Sequence, residues 1–240
     1  MIKIENEDVY GFEAAVRGMR NPFNSHKKSD SEKCELLEDC DDCVFRPCQY
    51  KTNTELFSIG VNDFELMKNL VGSGTDHSKF MRMINVTCDI TAPLYWWKEF
   101  DTYKVGTVRN SCSSMHKIHE SEFTLDDFSH EHLKAWQSEG GGDIHSGMVN
   151  ALKETIEHLN HCRKEYLRTK EKNWWWQMIQ LLPSSYNQKS TVQMNYQVLR
   201  SMYHARKNHK LDEWREFCRW VETLPYSELI TIGKDNKDEQ

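Results

Sequence analysis

Apolar positions recur with a helical period through the second half of the chain. After the break at Gly140-Gly141-Gly142, residues such as Leu152 and Ile156 fall three or four positions apart, which is the pattern of an amphipathic helix. Pro183 and Pro225 follow two later apolar segments and mark their ends, because proline cannot continue a helix. The predicted helices of this half span 149–166, 174–182, 194–203 and 211–222.

The first half mixes short alternating stretches with helical ones. Residues 2–4 predict an edge strand, and the alternation over 80–90 predicts a second strand. Helices are predicted over 8–20 and 64–71, and further helices begin near Pro93 and Thr124. The whole pattern predicts a helix-rich α+β fold in a single domain over 1–240, with 24–55 a cysteine-rich loop or insert.

Composition and charge narrow the class of protein. The 240 residues are 38% hydrophobic and 11% aromatic, which is enough for a real core, and no apolar run approaches the roughly 20 residues of a membrane span. The first residues lack the pattern of a signal peptide, so a cytoplasmic protein without a membrane partner is expected. The net charge of -6 argues against a protein that coats nucleic acid, but a local cluster of cations could still bind a small anion.

Bulky aromatic residues lie beside small polar ones between positions 94 and 118. Trp96 and Trp97 precede a stretch that is rich in hydroxyl groups and cations. A core strand would not need the hydroxyl groups, and a solvated loop would not need the indoles. The mixture therefore predicts the wall of a binding pocket. Its polar candidates are Arg109, Ser111, Ser113, Ser114 and His116.

Four cysteines in the spacing C-x5-C-x2-C-x4-C form the strongest candidate metal site. Cys34, Cys40, Cys43 and Cys48 could close a tetrahedral site around a structural zinc ion, since four thiolates leave no position for a catalytic water. Because no export signal is expected, thiols or metal ligands are expected before disulfides. The alternative is a loop of reduced thiols.

The tryptophan run and the histidine pairs each have a structural explanation as well as a functional one. On a helix, Trp174-Trp175-Trp176 would point in three directions, which predicts core packing or a subunit contact rather than a base-stacking platform. His116 and His119 are three positions apart, as are His158 and His161, so each pair could share a helix face and bind a metal ion. No third ligand is placed by spacing, and solvated or core histidines are expected.

Several common nucleotide and hydrolase motifs are absent from the sequence. It contains no G-x-G-x-x-G, Walker or G-x-S-x-G motif. A Rossmann dehydrogenase, a P-loop ATPase and an α/β-hydrolase are therefore disfavoured.

Taken in order, three stretches resemble the flavin-dependent thymidylate synthases, the thymidylate synthase X family. The segment GSGTDHSKFMRMINVTCDITAPLYWWKEF resembles the family's first motif region, with His77 at its Glu-His histidine. The segment CSSMHKI falls near the family's Ser-x-Arg-Tyr. The segment LLPSSYNQKSTVQMNYQVLRSMYHAR resembles a Leu-Pro pair and a helix that reads Asn-x-Arg-x-Leu, with Leu182-Pro183 and Asn195 in register.

The chain departs from the family at the positions of charged ligands. Lys98-Glu99-Phe100 stands where the family has Arg-His-Arg, and Ser113-Ser114-Met115-His116 stands nearest to Ser-x-Arg-Tyr. Gln197 replaces the arginine of Asn-x-Arg. Those arginines hold FAD and the phosphate of dUMP in the family, and each lost charged hydrogen bond costs roughly 1.5–3 kcal/mol. Cations that could compensate are Lys104, Arg109, Lys117 and Arg200, and on the helix that follows Gln197, Arg200 and Arg206 lie one and three turns away.

The resemblance implies the family's fold, a homotetramer, and transfer of a one-carbon unit to C5 of a uracil nucleotide by reduced flavin and methylene-tetrahydrofolate. The flavin-binding candidates that it implies are His77, Trp97, Lys98, Lys104, Asn195 and Gln197. The nucleotide-binding candidates are Arg109, Ser111, Ser113, Ser114, His116, Arg200 and Arg206. No catalytic residue is assigned. Two alternatives stay open: a regulatory or nucleotide-binding protein that kept the fold and lost the chemistry, and a zinc-stabilised interaction module.

Overall fold

The computed structural model describes residues 2–33, 56–133 and 147–233, apart from the side chain of Ser114. Within these ranges the helix-rich α+β fold is confirmed. The strands are β1 (Lys3–Tyr10), β2 (Glu32–Lys33), β3 (Phe57–Ser58), β4 (Asn85–Pro93), β5 (Thr107–Ser111) and β6 (Asn187–Asn195). The helices are α1 (Phe12–Arg20), α2 (Val61–Gly72), α3 (Leu94–Phe100), α4 (Ser114–Lys117), α5 (Met148–Thr169), α6 (Lys172–Leu181), α7 (Tyr196–Arg206), α8 (Asp212–Glu222) and α9 (Glu228–Thr231).

Four of the strands form one sheet in the order β1-β4-β6-β5, and β2 pairs with β3 in a separate antiparallel ribbon. In β4, Val86, Cys88 and Ile90 are buried while their neighbours are partly exposed, because successive side chains of a strand point to opposite faces. The strand predicted over 80–90 begins only at Asn85. The preceding residues, Lys79–Arg82, form a 3-10 turn.

Strand β6 corrects the helix that was predicted from residue 194. Its sequence, NQKSTVQMN, is largely polar, and the alternation of buried Ser190, Val192 and Met194 falls among polar neighbours. The helix begins at Tyr196, where the Asn195 side chain accepts a 2.9 Å hydrogen bond from the backbone N–H of Val198. Asparagine is a favoured N-cap residue, so Asn195 marks the point where the strand ends and the helix begins.

The chain divides into two compact units. The first contains Met1–Lys3, Ile90–Asp101 and Asn110–Ser190, and the second contains Ile4–Asp89, Thr102–Arg109 and Thr191–Gln240. No helix among the described residues is both long and apolar enough to cross a membrane.

The core of the first unit is built on the pairing of α5 with α6. Leu152, Ile156 and Leu159 line the buried face of α5, as its periodicity predicts, and Met178 meets them from α6. From the tryptophan run, Trp174 and Trp175 pack partly buried against this core, while Trp176 is 43% exposed. Packing therefore explains two of the three indoles.

The second unit packs α7 against α8 and α9. Trp214 and Phe217 of α8 are fully buried, and Phe12 of α1 meets Tyr196 of α7 edge to face with ring centroids 5.9 Å apart. Edge-to-face contact of this kind adds to the free energy gained from burial.

Candidate functional site

The predicted site residues divide between the two units. Those in the first unit are Trp97, Lys98, Ser111, Ser113, Ser114 and His116. Those in the second unit are His77, Lys104, Arg109, Asn195, Gln197, Arg200 and Arg206. The second unit therefore contains Asn195 and Gln197 at the start of α7 and Arg206 at its end.

Arg206, the last residue of α7, lies at the centre of an aromatic cluster in the second unit. Its Nε donates a 2.9 Å hydrogen bond to the hydroxyl of Tyr103. Its guanidinium carbon lies 4.9 Å from the ring centroid of Trp214 and 5.6 Å from that of Tyr103. Its Nη1 is 2.9 Å from Nε2 of His209. The planar cation is thus held in a fixed orientation while its side chain remains partly exposed.

The loop between α3 and β5 fixes Tyr103 at this cluster. The Thr107 hydroxyl donates a short hydrogen bond to the carbonyl oxygen of Tyr103, which closes the loop on itself. Gly106 has φ +83°, and a Cβ there would lie 2.6 Å from Nδ2 of Asn195. Glycine is required on both grounds, and the close contact holds the loop against the start of α7.

A second polar contact forms at the first turn of α7. The buried Ser78 hydroxyl donates a 3.1 Å hydrogen bond to Oε1 of Gln197, and Ser78 directly follows the exposed His77. This hydrogen bond places Ser78, and with it the segment that contains His77, against Gln197 in the first turn of α7. The side chains of Lys98 and Lys104 are both exposed.

Arg200 does not have the predicted role in binding a nucleotide. It is 7% exposed, and its Nη1 donates to the carbonyl oxygens of Leu229, Ile230 and Ile232 at 3.4, 3.1 and 2.5 Å. The last carbonyls of a helix have no partner within it, so Arg200 closes the end of α9. Burial lowers the pKa of Arg200 from its ordinary value.

Trp97 is also corrected, because the pair of indoles lies inside the first unit rather than along the wall of a pocket. Trp96 and Trp97 are 0% and 1% exposed, and both rings contact Phe100 with centroids 5.2 Å away. The indole N–H of Trp97 donates a 2.9 Å hydrogen bond to the carbonyl oxygen of Gln188. This buried placement gives no support to the predicted contact of Trp97 with a flavin, which stays a prediction.

The hydroxyl-rich segment has mixed roles. Ser113 is the N-cap of α4, with its hydroxyl accepting a 3.0 Å hydrogen bond from the backbone N–H of His116. Ser111 is exposed at the end of β5, and Arg109 is partly exposed on the same strand. His116 lines a cleft of about 380 Å³ in the first unit together with Met115 and Trp175.

The zinc prediction lies outside the described residues, as do Cys34, Cys40, Cys43 and Cys48. Within the described ranges, no group of three or more His, Cys, Asp or Glu side chains could hold a metal ion. Zinc binding by the four cysteines stays a prediction.

Three residues of this cluster are not among the candidates predicted from the sequence: Tyr103, His209 and Trp214. Tyr103 stands next to the predicted Lys104, and an aromatic residue beside a candidate cation was the available signal. Trp214 belongs to the apolar stripe of α8, where its position is explained by burial alone. Its contact with Arg206 depends on how α7 and α8 pack, which no local pattern encodes.

The fold is that of the flavin-dependent thymidylate synthases. The chain is similar to thymidylate synthase X from Helicobacter pylori, solved with FAD and dUMP, at 15% identity and a TM-score of 0.61 over 95% of this chain and 96% of that one. It is also similar to PolB from Streptomyces cacaoi, a UMP/dUMP methylase solved with 5-Br dUMP, at 12% identity and a TM-score of 0.55 over 98% and 95% of the two chains. No family model matches the sequence, and no curated protein matches it.

Proposed function

We propose that the chain binds a uracil nucleotide and, with a reduced flavin, transfers a one-carbon unit from methylene-tetrahydrofolate to C5 of dUMP. One observation carries the proposal: Arg206, predicted to bind the nucleotide, lies within cation-π distance of both Tyr103 and Trp214 in a fold shared with a thymidylate synthase and a UMP/dUMP methylase. Guanidinium groups are the side chains that most often bind phosphate oxygens through charge-assisted hydrogen bonds, and this cation is the one that we assign to the nucleotide's phosphate.

The flavin-binding candidates that fit are those of the second unit. His77 and Lys104 have exposed side chains, and the Gln197 amide is oriented by Ser78. Lys104 would pair with the flavin's phosphates, while Gln197 and His77 would supply hydrogen bonds. The bound flavin would provide the hydride, and the protein's contribution would be binding and orientation.

A second candidate function is binding of the nucleotide without turnover. Two observations favour it. Arg200 is committed to the carbonyl groups at the end of α9, and glutamine stands where an Asn-x-Arg motif would place a cation. With fewer cations for two phosphorylated ligands, the fold could retain one binding activity and lose the other.

Ligand titrations followed by a turnover assay distinguish the two candidate functions. The protein is titrated with FAD by absorbance and with dUMP by calorimetry, and then assayed for thymidylate with FAD, NADPH and methylene-tetrahydrofolate. Product formation supports the enzyme, whereas dUMP binding without product supports the second candidate. If the protein binds neither FAD nor dUMP, both candidate functions are overturned.

Arg206→Met tests the observation that carries the proposal. Loss of charged hydrogen bonds to phosphate should weaken dUMP binding by about tenfold or more. Arg219→Met is the matched control, because Arg219 is 66% exposed on α8 and its ion pair among the described residues is with Glu216, at 3.5 Å. Equal dUMP affinity in the Arg206 variant and the wild type would exclude Arg206 as the phosphate ligand.

A further inference from the structure

A cleft in the first unit combines cations with aromatic rings. Its volume is about 380 Å³, within the range of small-molecule sites. Its lining includes the cations Lys170 and Lys172 and the aromatic residues Tyr166 and Trp175. These residues come from the end of α5 and the start of α6, so the short connection between the two helices forms one side of the cleft.

The cleft is held in shape from both sides. The indole N–H of Trp175 donates a 2.9 Å hydrogen bond to the carbonyl oxygen of Met115, which ties α6 to α4. The Arg163 guanidinium donates 3.0 Å hydrogen bonds to the carbonyl oxygens of His119 and Glu120. These bonds tie the residues that follow α4 to α5. The lining is therefore organised before any ligand arrives, which lowers the cost of binding.

The two lysines have no carboxylate within 4 Å among the described residues. Neighbouring acids are engaged elsewhere, since Glu165 pairs with Arg168 at 2.6 Å and Glu120 forms a short ion pair with Lys117. The ammonium groups instead lie over aromatic rings: that of Lys170 is 5.7 Å from the ring centroid of Tyr166 and that of Lys172 is 5.6 Å from that of Trp176. Glu171, between the lysines in sequence, is exposed and does not line the cleft.

Two details indicate that the cleft serves a ligand. Lys170 is a non-glycine residue with φ +61° at the C-cap of α5, a position that favours glycine, so the structure keeps a cation there at a cost in stability. His119 presents a buried Nδ1 with no hydrogen-bond partner among the described residues, and its ring meets Tyr166 edge to face at 4.9 Å. A buried polar atom of this kind usually has a partner.

We infer that this cleft binds a small aromatic phosphate, with the phosphoryl group between Lys170 and Lys172 and the planar ring against Trp175 and Tyr166. Two lysines match the double charge of a phosphate monoester better than the single charge of a carboxylate. The cleft belongs to the first unit, whereas the nucleotide site proposed at Arg206 belongs to the second.

The test uses phenyl phosphate as the probe, titrated by calorimetry into the full chain carrying Arg206→Met so that the other proposed site does not contribute. One molecule should bind per chain, about tenfold more tightly than inorganic phosphate, phenol or benzoate. Phenol binding as tightly as phenyl phosphate, or no binding of phenyl phosphate, overturns the inference.

Lysine variants in the same background locate the binding. Lys170→Gly and Lys172→Gln should each weaken phenyl phosphate binding by about tenfold. Lys153→Gln, an exposed lysine near the start of α5, should leave it unchanged. Glycine suits the backbone at residue 170, so Lys170→Gly should unfold at the same temperature as its parent or higher. Unchanged affinity in both lysine variants, or equal loss in the Lys153 variant, would refute the site.

Discussion

Two arginines on α7 have opposite environments, although they are only six positions apart. Arg200 is buried and bonded to the carbonyl groups of Leu229, Ile230 and Ile232, whereas Arg206 is partly exposed between aromatic rings. Both were candidates for binding an anion. Arg200 packs against the end of α9 and Arg206 against Tyr103 and Trp214, so packing rather than residue type decides the environment of each arginine.

Replacing Arg200 should therefore affect folding. Arg200→Met removes the donor and leaves buried carbonyl groups without a partner, which should lower the free energy of unfolding by about 3 kcal/mol. Urea denaturation followed by tryptophan fluorescence measures the change. Arg219→Met, at an exposed site on α8, should change it by less than about 0.5 kcal/mol. A similar effect of the two substitutions would mean that Arg200 is not structural.

At the scale of elements, α1 is joined to α2 by a buried ion pair. Nε of Arg20 lies 2.5 Å from Oδ1 of Asp63, and the two side chains are 5% and 0% exposed. Oδ2 of Asp63 accepts 2.6 Å hydrogen bonds from the hydroxyls of Ser29 and Ser31. Burial alone would raise the pKa of Asp63, but these hydrogen bonds and the charge of Arg20 hold that pKa below its ordinary value.

Asp63→Asn should destabilise the fold by about 3–5 kcal/mol, because it leaves the Arg20 cation buried without a counterion. Since the pKa of Asp63 is lower in the folded chain than in the unfolded one, its contribution is complete above about pH 4 and disappears as the pH falls through the folded value. The difference between variant and wild type in urea denaturation should shrink accordingly at acid pH. Asp76→Asn, whose carboxylate is 92% exposed, is the control and should show neither effect.

The helices of this chain were easier to predict than its strands or its site. Helix α5 carries its buried stripe in the sequence, so a period of 3.6 residues revealed it. Strand β6 is mostly polar and is paired on both sides within the sheet, so its hydrogen-bond partners define it rather than its own residues. Trp97 looked like part of a pocket because local composition does not reveal which aromatic residues the core will cover.

At the scale of the whole molecule, the fold depends on no single residue, whereas the candidate site does. An identity of 15% to a thymidylate synthase leaves a TM-score of 0.61, because many combinations of apolar residues fill the same core. A phosphate site has no such freedom, since it needs a cation at a defined place. The combination of Arg206 with Tyr103 and Trp214 is therefore more informative about function than the fold is.

Exposed valines in the loop and strand that follow Lys104 offer a test of the predicted homotetramer. Val105 and Val108 are 90% and 63% exposed, and Val108 lies on β5, an edge strand of the sheet. Exposed apolar residues on a sheet edge suit contact with another chain, because an edge has unpaired backbone groups. If a second copy covers them, Val105→Asp together with Val108→Asp should lower the assembly state by burying two uncompensated charges.

Sedimentation equilibrium measures the outcome directly: the wild type should have four times the mass of the chain, and the double variant should shift towards one or two copies. Val61→Asp is the matched control, because Val61 is 76% exposed and begins α2, where an acidic residue is favourable. It should sediment as the wild type does. A monomeric wild type would refute the tetramer, and equal dissociation of the Val61 variant would show that the contact does not involve the edge of β5.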